Sequence, residues 1–164
     1  EDFDSPLGTG TGAAVIFGTT GGVAEAVVRH CMPDKSRNTL RALEYSPLRG
    51  NDSIREATVQ VGDREIHLAV VHGLIHAQEL LKEIDAGNAY YDLIEVMTCP
   101  GGCVGGAGQP YGLKQKKQDR TAGLYAADRS APFKRAEYNP VVTSMMDAYT
   151  PDQRHDLLHV DYTK

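Results

Sequence analysis

The sequence predicts an α/β fold: one lobe with a small sheet flanked by helices, plus a carboxy-terminal helical arm. Three observations carry this. Two β-rich runs, Thr58 to Val61 and Ile66 to Val71, flank the turn pair Gly62-Asp63. A helical stripe after Gly73 separates that pair from a third strand, Tyr91 to Val96, giving a strand–helix–strand unit. Beyond Pro110 the chain turns charged, and two helix starts follow.

In chain order, "SPLGTGTGAAVIFGTTGG" (Ser5 to Gly22) opens as a Gly/Thr-rich loop, passes through the apolar run Ala13 to Phe17, and returns to loop. On that reading Phe17 is the end of a hydrophobic strand and Gly18 a turn. A helix should follow, with Val23, Ala26, Val27, His30 and Cys31 on one face and Pro33 as its stop. That placement makes Cys31 a core residue. Thr39 to Gly50 reads as a short helix or turn. The helix after Gly73 carries Leu74, Ala77, Leu81 and Ile84 on its stripe, and His72 just before it caps or packs. "LKQKKQDRTAGLYAADRS" reads as helical in pieces, with Lys114, Lys116 and Lys117 solvated. Asn139-Pro140 starts a helix bearing Val142, Met145, Met146 and Tyr149. Thr150 and Gln153 stand at capping-box spacing before a last helix with His155, Leu158, His159 and Tyr162.

Composition excludes some classes. The 164 residues suit one domain or part of a larger one, and 41% hydrophobic with 24% charged residues is ordinary for a globular chain. A net charge of −5 argues against nucleic acid or an acidic membrane surface as partner. No apolar run is long enough to cross a bilayer. Three cysteines make no disulfide framework; clustered as they are, they read as metal-binding or catalytic in a reducing compartment. The expected location is therefore cytoplasmic, with a periplasmic one as the alternative. No signal-peptide pattern opens the chain, but it begins with Glu1 rather than Met, so that says little about export.

The chemistry concentrates in Cys99-Pro-Gly-Gly-Cys103, which follows the third strand. Two thiolates there reach one metal centre, and Gly101, Gly102, Gly105, Gly106 and Gly108 allow the backbone to approach a bulky inorganic ligand. Zinc would call for a second Cys or His pair, and a redox dithiol for two intervening residues rather than three. An iron–sulfur cluster and a tight glycine turn with incidental thiols both remain open on spacing alone. A cubane needs four ligands, so the chain supplies half a site. Glu95, at the strand end, serves as a structural hydrogen-bond partner or a functional acid.

"EVMTCPGGCVGGAGQP" resembles the third signature of the H-cluster domain of iron-only hydrogenases, E-x-M-x-C-x-x-G-C-x-x-G-G-G-Q-P, with Ala107 where glycine is usual. "FGTTGGVAEAVVR" is similar to the family's F-G-x-T-G-G-V-M-E-A-A-x-R, with Ala24 for methionine. "AVVHGLIHAQELL" resembles a strand followed by H-G-x-x-N-A, with His76 for asparagine. The tail "YNPVVTSMMDAYTPDQRHDLLHVDY" is similar to the family's terminal segment or separate small subunit, with Val160 for threonine. Two earlier cysteine signatures, T-S-C-C-P-x-W and M-P-C-x-x-K-x-x-E, are absent.

The resemblance implies a division into residues 1–112, a carboxy-terminal lobe of an H-cluster domain, and 113–164, a small-subunit-like helical tail. It implies reversible oxidation of H2 to protons and electrons, exchanged with ferredoxin or a similar carrier. The cofactor would be an H-cluster: a four-iron four-sulfur cubane bridged to a diiron unit bearing CO, cyanide and a dithiolate. Cys99 would be a cubane ligand, Cys103 both ligand and bridge, and Met97 a thioether packed against the diiron ligands. Phe17 and Gly18 would line the same pocket, and His155 and His159 would be docking residues. The amino-terminal half of the domain becomes the expected partner, covering the face with Phe17, Gly18, Met97, Cys99 and Cys103. This chain alone should hold no intact cluster and turn over no H2. Two rival readings share the cysteine loop: a hydrogenase-like iron–sulfur assembly factor and a sensory relative. The "HDLLHVDY" tail is expected in hydrogenases and not in assembly factors.

Overall fold

A computed structural model describes residues 10–34, 36–44, 46–112 and 114–162. The start of the Gly/Thr-rich loop, residues 5–9, lies outside them. The elements are α1 (Gly12–Val15), running into a 3-10 turn over Ile16–Gly18, α2 (Gly22–Cys31), α3 (Arg37–Glu44), β1 (Ile54–Val61), β2 (Arg64–His72), α4 (Leu74–Asp85) and β3 (Leu93–Met97). Then come a 3-10 turn over Cys103–Gly105, α5 (Lys114–Ser130), α6 (Pro140–Asp147) and α7 (Pro151–Leu158).

The sheet has the order β1-β2-β3. β1 and β2 form an antiparallel hairpin from Ile54↔Val71 to Val61↔Arg64, closed by Gly62-Asp63, where Gly62 takes φ +61. β2 and β3 are parallel, Leu68↔Leu93 through His72↔Met97, and α4 makes the crossover that a parallel pair requires. β2 is buried on both faces. Leu68 and Val70 join Ala24, Val28, Leu43, Leu48, Ala57 and Val59 in one core. Ala69 and Val71 face Leu80, with Ala77, Ile84 and Ile94 packed around them. This is why β2 reads as an unbroken apolar run while β1, buried at alternate residues, does not.

Four expectations are corrected. The run Ala13 to Phe17 is helical, not a strand end: Thr11 caps α1 by accepting a bond from the Ala14 N–H (3.3 Å). In α2 the buried side is Ala24, Glu25, Val28 and Arg29, whereas Val27, His30 and Cys31 are exposed. The apolar stripe loses because Glu25 and Arg29 satisfy each other and a carboxylate from α5, so the charged face can go inside. Cys31 is thus a surface thiol. On α4, Leu80 is the buried residue, and Leu74 and Leu81 are more than half exposed. Finally, the segment from Lys114 is one 17-residue helix rather than pieces, and it buries Asp128 against α1 and α2.

α6 and α7 start as expected. Asn139 accepts bonds from the Val141 and Val142 N–H groups, and Thr150 with Gln153 closes a capping box. Neither helix buries a residue.

Candidate metal centre

β2 and β3 run parallel and stop level, so their carboxyl ends open at one edge, as ligand sites in α/β folds do. The Gly73 N–H donates to the Met97 carbonyl (2.8 Å) and ties the two ends together. The cysteine loop leaves from there. Its Gly102 N–H donates to the Cys99 carbonyl (2.9 Å), and the Gly106 N–H to that of Cys103 (3.1 Å). Gly101 (φ +87) and Gly102 (φ +88) occupy backbone conformations that L side chains rarely adopt. A Cβ on Gly102 would also sit 2.8 Å from the Thr20 nitrogen and 2.9 Å from Met97 Sδ.

That last contact shows what the loop packs on. Thr19 and Thr20 lie against it, and the Thr20 N–H donates to the Gly101 carbonyl (3.1 Å). Glu95 is 7% exposed and accepts bonds from the N–H groups of Gly21 (2.6 Å) and Ala24 (2.7 Å). Its carboxylate therefore caps α2, where the helix dipole favours negative charge. The acid that the sequence left ambiguous joins the two signature segments. From the other side Arg55 donates to the carbonyls of Thr20 (2.9 Å) and Leu48 (3.2 Å), and burial pulls its pKa down. Arg120 clamps the far end, donating to the carbonyls of Val104 (2.9 Å) and Pro110 (2.6 Å).

The residues singled out by sequence fall at one end of the lobe. The 3-10 turn holding Phe17 and Gly18 contacts the turn that begins at Cys103. Phe17 is 48% exposed, Cys103 is exposed, and Cys99 and Met97 are half-buried. Gly18 is packed closely, since a Cβ there would come within 2.7 Å of Leu124. His72 packs at the strand end, 7% exposed. Burial lowers its pKa, opposed by the Asn51 backbone and reinforced by the charges of Arg55, His76 and Lys117. His155 and His159 are distant in sequence and stacked on each other, with ring centroids 4.6 Å apart.

Sequence reasoning missed the ion network behind this edge. Arg29 bonds both oxygens of Asp128 (2.8 and 2.7 Å) and one of Glu25, while Arg49 takes both Glu25 oxygens (2.7 Å each) and stacks on Tyr125. Burial opposes the charge on Arg29, but the two carboxylates outweigh it and hold its pKa above the usual guanidinium value. The Glu25–Arg29 spacing of i,i+4 was the available signal; nothing local pointed to Asp128.

The donor chemistry suits an iron–sulfur cluster in part. Two soft thiolates sit on a loop whose glycines leave room, a Gly106 Cβ lying 3.4 Å from Cys99 Sγ. No third Cys, His, Asp or Glu joins them among the described residues. Fold and donors together are compatible with one lobe of an iron–sulfur protein whose remaining ligands lie elsewhere. Two family profiles match: "Iron only hydrogenase large subunit, C-terminal domain" over residues 1–107, and "Iron hydrogenase small subunit" over 114–164. The chain belongs to the iron-only hydrogenase family.

Among its relatives is the NADP-reducing hydrogenase subunit HndD of Solidesulfovibrio fructosivorans, 44% identical over all of this chain and 29% of that one. The periplasmic iron hydrogenase large subunit of Nitratidesulfovibrio vulgaris is 42% identical over 75% of this chain and 30% of its own length. A cytosolic Fe-S cluster assembly factor of Xenopus tropicalis, narfl, is 28% identical over 96% of this chain and 36% of its own. That alignment extends into residues 114–164. A solved variant of the FeFe-hydrogenase HydA1 of Chlamydomonas reinhardtii superposes with a TM-score of 0.66 at 31% identity, over 98% of this chain and 49% of that one. The chain thus spans about a third of these curated relatives and half of that structure.

Proposed function

We propose that this chain is the carboxy-terminal part of an iron-only hydrogenase that catalyses reversible oxidation of H2. One observation carries the reading: Cys99 and Cys103 share a glycine loop that Glu95 and Thr20 hold against the Phe17–Gly21 segment. In this reading residues 1–112 form the carboxy-terminal lobe of the H-cluster domain and 113–164 a small-subunit-like tail. Cys99 and Cys103 would hold the cubane, and Cys103 would also contribute to holding the diiron unit. Bound, the H-cluster supplies the redox chemistry of H2.

The chain's own residues do the rest of what falls to this half. Met97 packs its thioether beside Gly102, and Phe17 and Gly18 would become an apolar wall against water once the other half of the domain covers them. The loop's N–H groups at Gly102, Gly105 and Gly106 donate to its own carbonyls, which fixes the turn from which the two sulfurs project. Proton transfer and the remaining two cubane ligands come from outside these 164 residues, from the other half of the domain. A ferredoxin-type protein exchanges the electrons, in the cytoplasm; one relative is named as periplasmic.

The test is anaerobic maturation of the full-length protein, with iron and sulfide counted, infrared bands of metal-bound CO and cyanide recorded, and H2 turnover assayed. Wild type should show all three, and Cys103→Ser should lose the diiron bands and turnover. The assembly-factor reading, favoured by the narfl alignment, expects a cubane without those bands. A cluster of full iron content in Cys103→Ser would remove Cys103 from the ligand set.

A further inference from the structure

A cavity of about 330 Å³ opens beside the cysteine loop, with Pro100, Gly101 and Val104 in its wall. Lys114, Lys117, His72, Asn51, Gln118 and Thr19 give it polar lining, and among the described residues no carboxylate lines it. In a chain of net charge −5, two lysines lining one cavity with no acid among the described lining residues leave a local positive field. Lys117 is held there by its stem: a Cβ on Gly105 would sit 3.2 Å from its Cδ and Cε.

His72 adds an independent sign. It lines the cavity, is 7% exposed, and its Nδ1 is buried without a hydrogen-bond partner. The Asn51 backbone hydrogen-bonds to the His72 side chain, while Nδ1 itself has no partner. A buried polar atom left unpaired in a native fold points to a group that belongs there.

We propose that this cavity binds a tetrahedral oxyanion of the phosphate class, held by the Lys114 and Lys117 ammonium groups with His72 at its wall. Among the described residues no arginine fork lines the cavity, so planar bidentate recognition of a carboxylate has no basis in them, whereas lysines bind phosphate as point charges. The volume stands at the small end of the ~300–1,000 Å³ usual for ligand sites, enough for one phosphate group with its waters. The site adjoins Cys99 through Pro100, yet the inference rests on side chains of this chain alone and not on the proposed activity.

The experiment titrates the full-length protein into inorganic phosphate and, separately, into AMP, followed by phosphorus NMR at low ionic strength. Saturable binding is expected, weakened about tenfold or more by Lys117→Met or Lys114→Met, as loss of one charge-assisted contact implies. Arg129→Met, on the separate basic cleft beside α3 and the end of α5, should leave it unchanged. AMP binding as tightly as phosphate assigns the site to monoesters; phosphate alone assigns it to the free ion. No saturable binding of either, or equal weakening by all three substitutions, overturns the proposal.

Discussion

Glu95 shows how a single carboxylate can set a site's geometry. It is buried and takes two backbone N–H bonds from the start of α2, a segment 71 to 74 residues away. Glu95→Ala strands both donors, and each buried unpaired group costs ~1–3 kcal/mol, so a loss of about 2–6 kcal/mol is expected in denaturant unfolding. Glu95→Gln keeps one acceptor and should lose less than half of that. Equal losses in the two variants would mean that the charge, not the capping geometry, matters. His72 carries a pH signature. Its folded pKa lies below 6.5, so as pH falls through 6.5 the unfolded chain takes up a proton that the folded chain resists. Stability is therefore lost on acidification. Between about pH 7 and about pH 5, without phosphate, the melting temperature of wild type should fall more steeply than that of His72→Gln. Parallel curves would put the titration elsewhere.

Among the elements, the contact between α2 and α5 is held by a balanced set of charges. Arg29 and Arg49 face Glu25 and Asp128, all but Arg49 almost fully buried. Removing one member leaves an excess charge in the interior, which costs about 3–5 kcal/mol. Asp128→Ala should show that loss. Adding Arg29→Met should recover part of it, because Arg49 with Glu25 is then a neutral pair. A double variant as unstable as the sum of the singles would show that the pairs act independently. Gly12 belongs to the same contact: a Cβ there would fall 2.0 Å from Asp128 Oδ1.

Across the whole molecule, stability is concentrated in the sheet and the helices on its faces. α7 buries no residue, and Leu157, Leu158, Val160 and Tyr162 are 62–90% exposed. Removing residues 150–164 should therefore change the unfolding free energy of this chain by no more than about 0.5 kcal/mol. A larger loss would assign the tail a packing role in the lobe. Cys103→Ser belongs at this scale too: the thiol is exposed, so the fold should keep its stability within about 0.5 kcal/mol while the chemistry of the complete protein is lost.

What could be read from the sequence alone were features set by neighbouring residues. The Gly62-Asp63 hairpin, the caps at Asn139 and Thr150, and β3 leading into Cys99 all depend on contacts a few residues apart. The Cys99–Cys103 spacing is local in the same way, whereas Phe17, Gly18 and Met97 are singled out only through the motifs they share with the family. Tertiary structure decided the rest. It turned α2 so that Glu25 and Arg29 went inside and Cys31 stayed out. It also made Glu95 a cap rather than an acid, and brought Asp128 across 99 residues to Arg29. The physical reason is common to all three. A polar side chain goes inside only when a distant group satisfies it, and local periodicity holds no record of that partner.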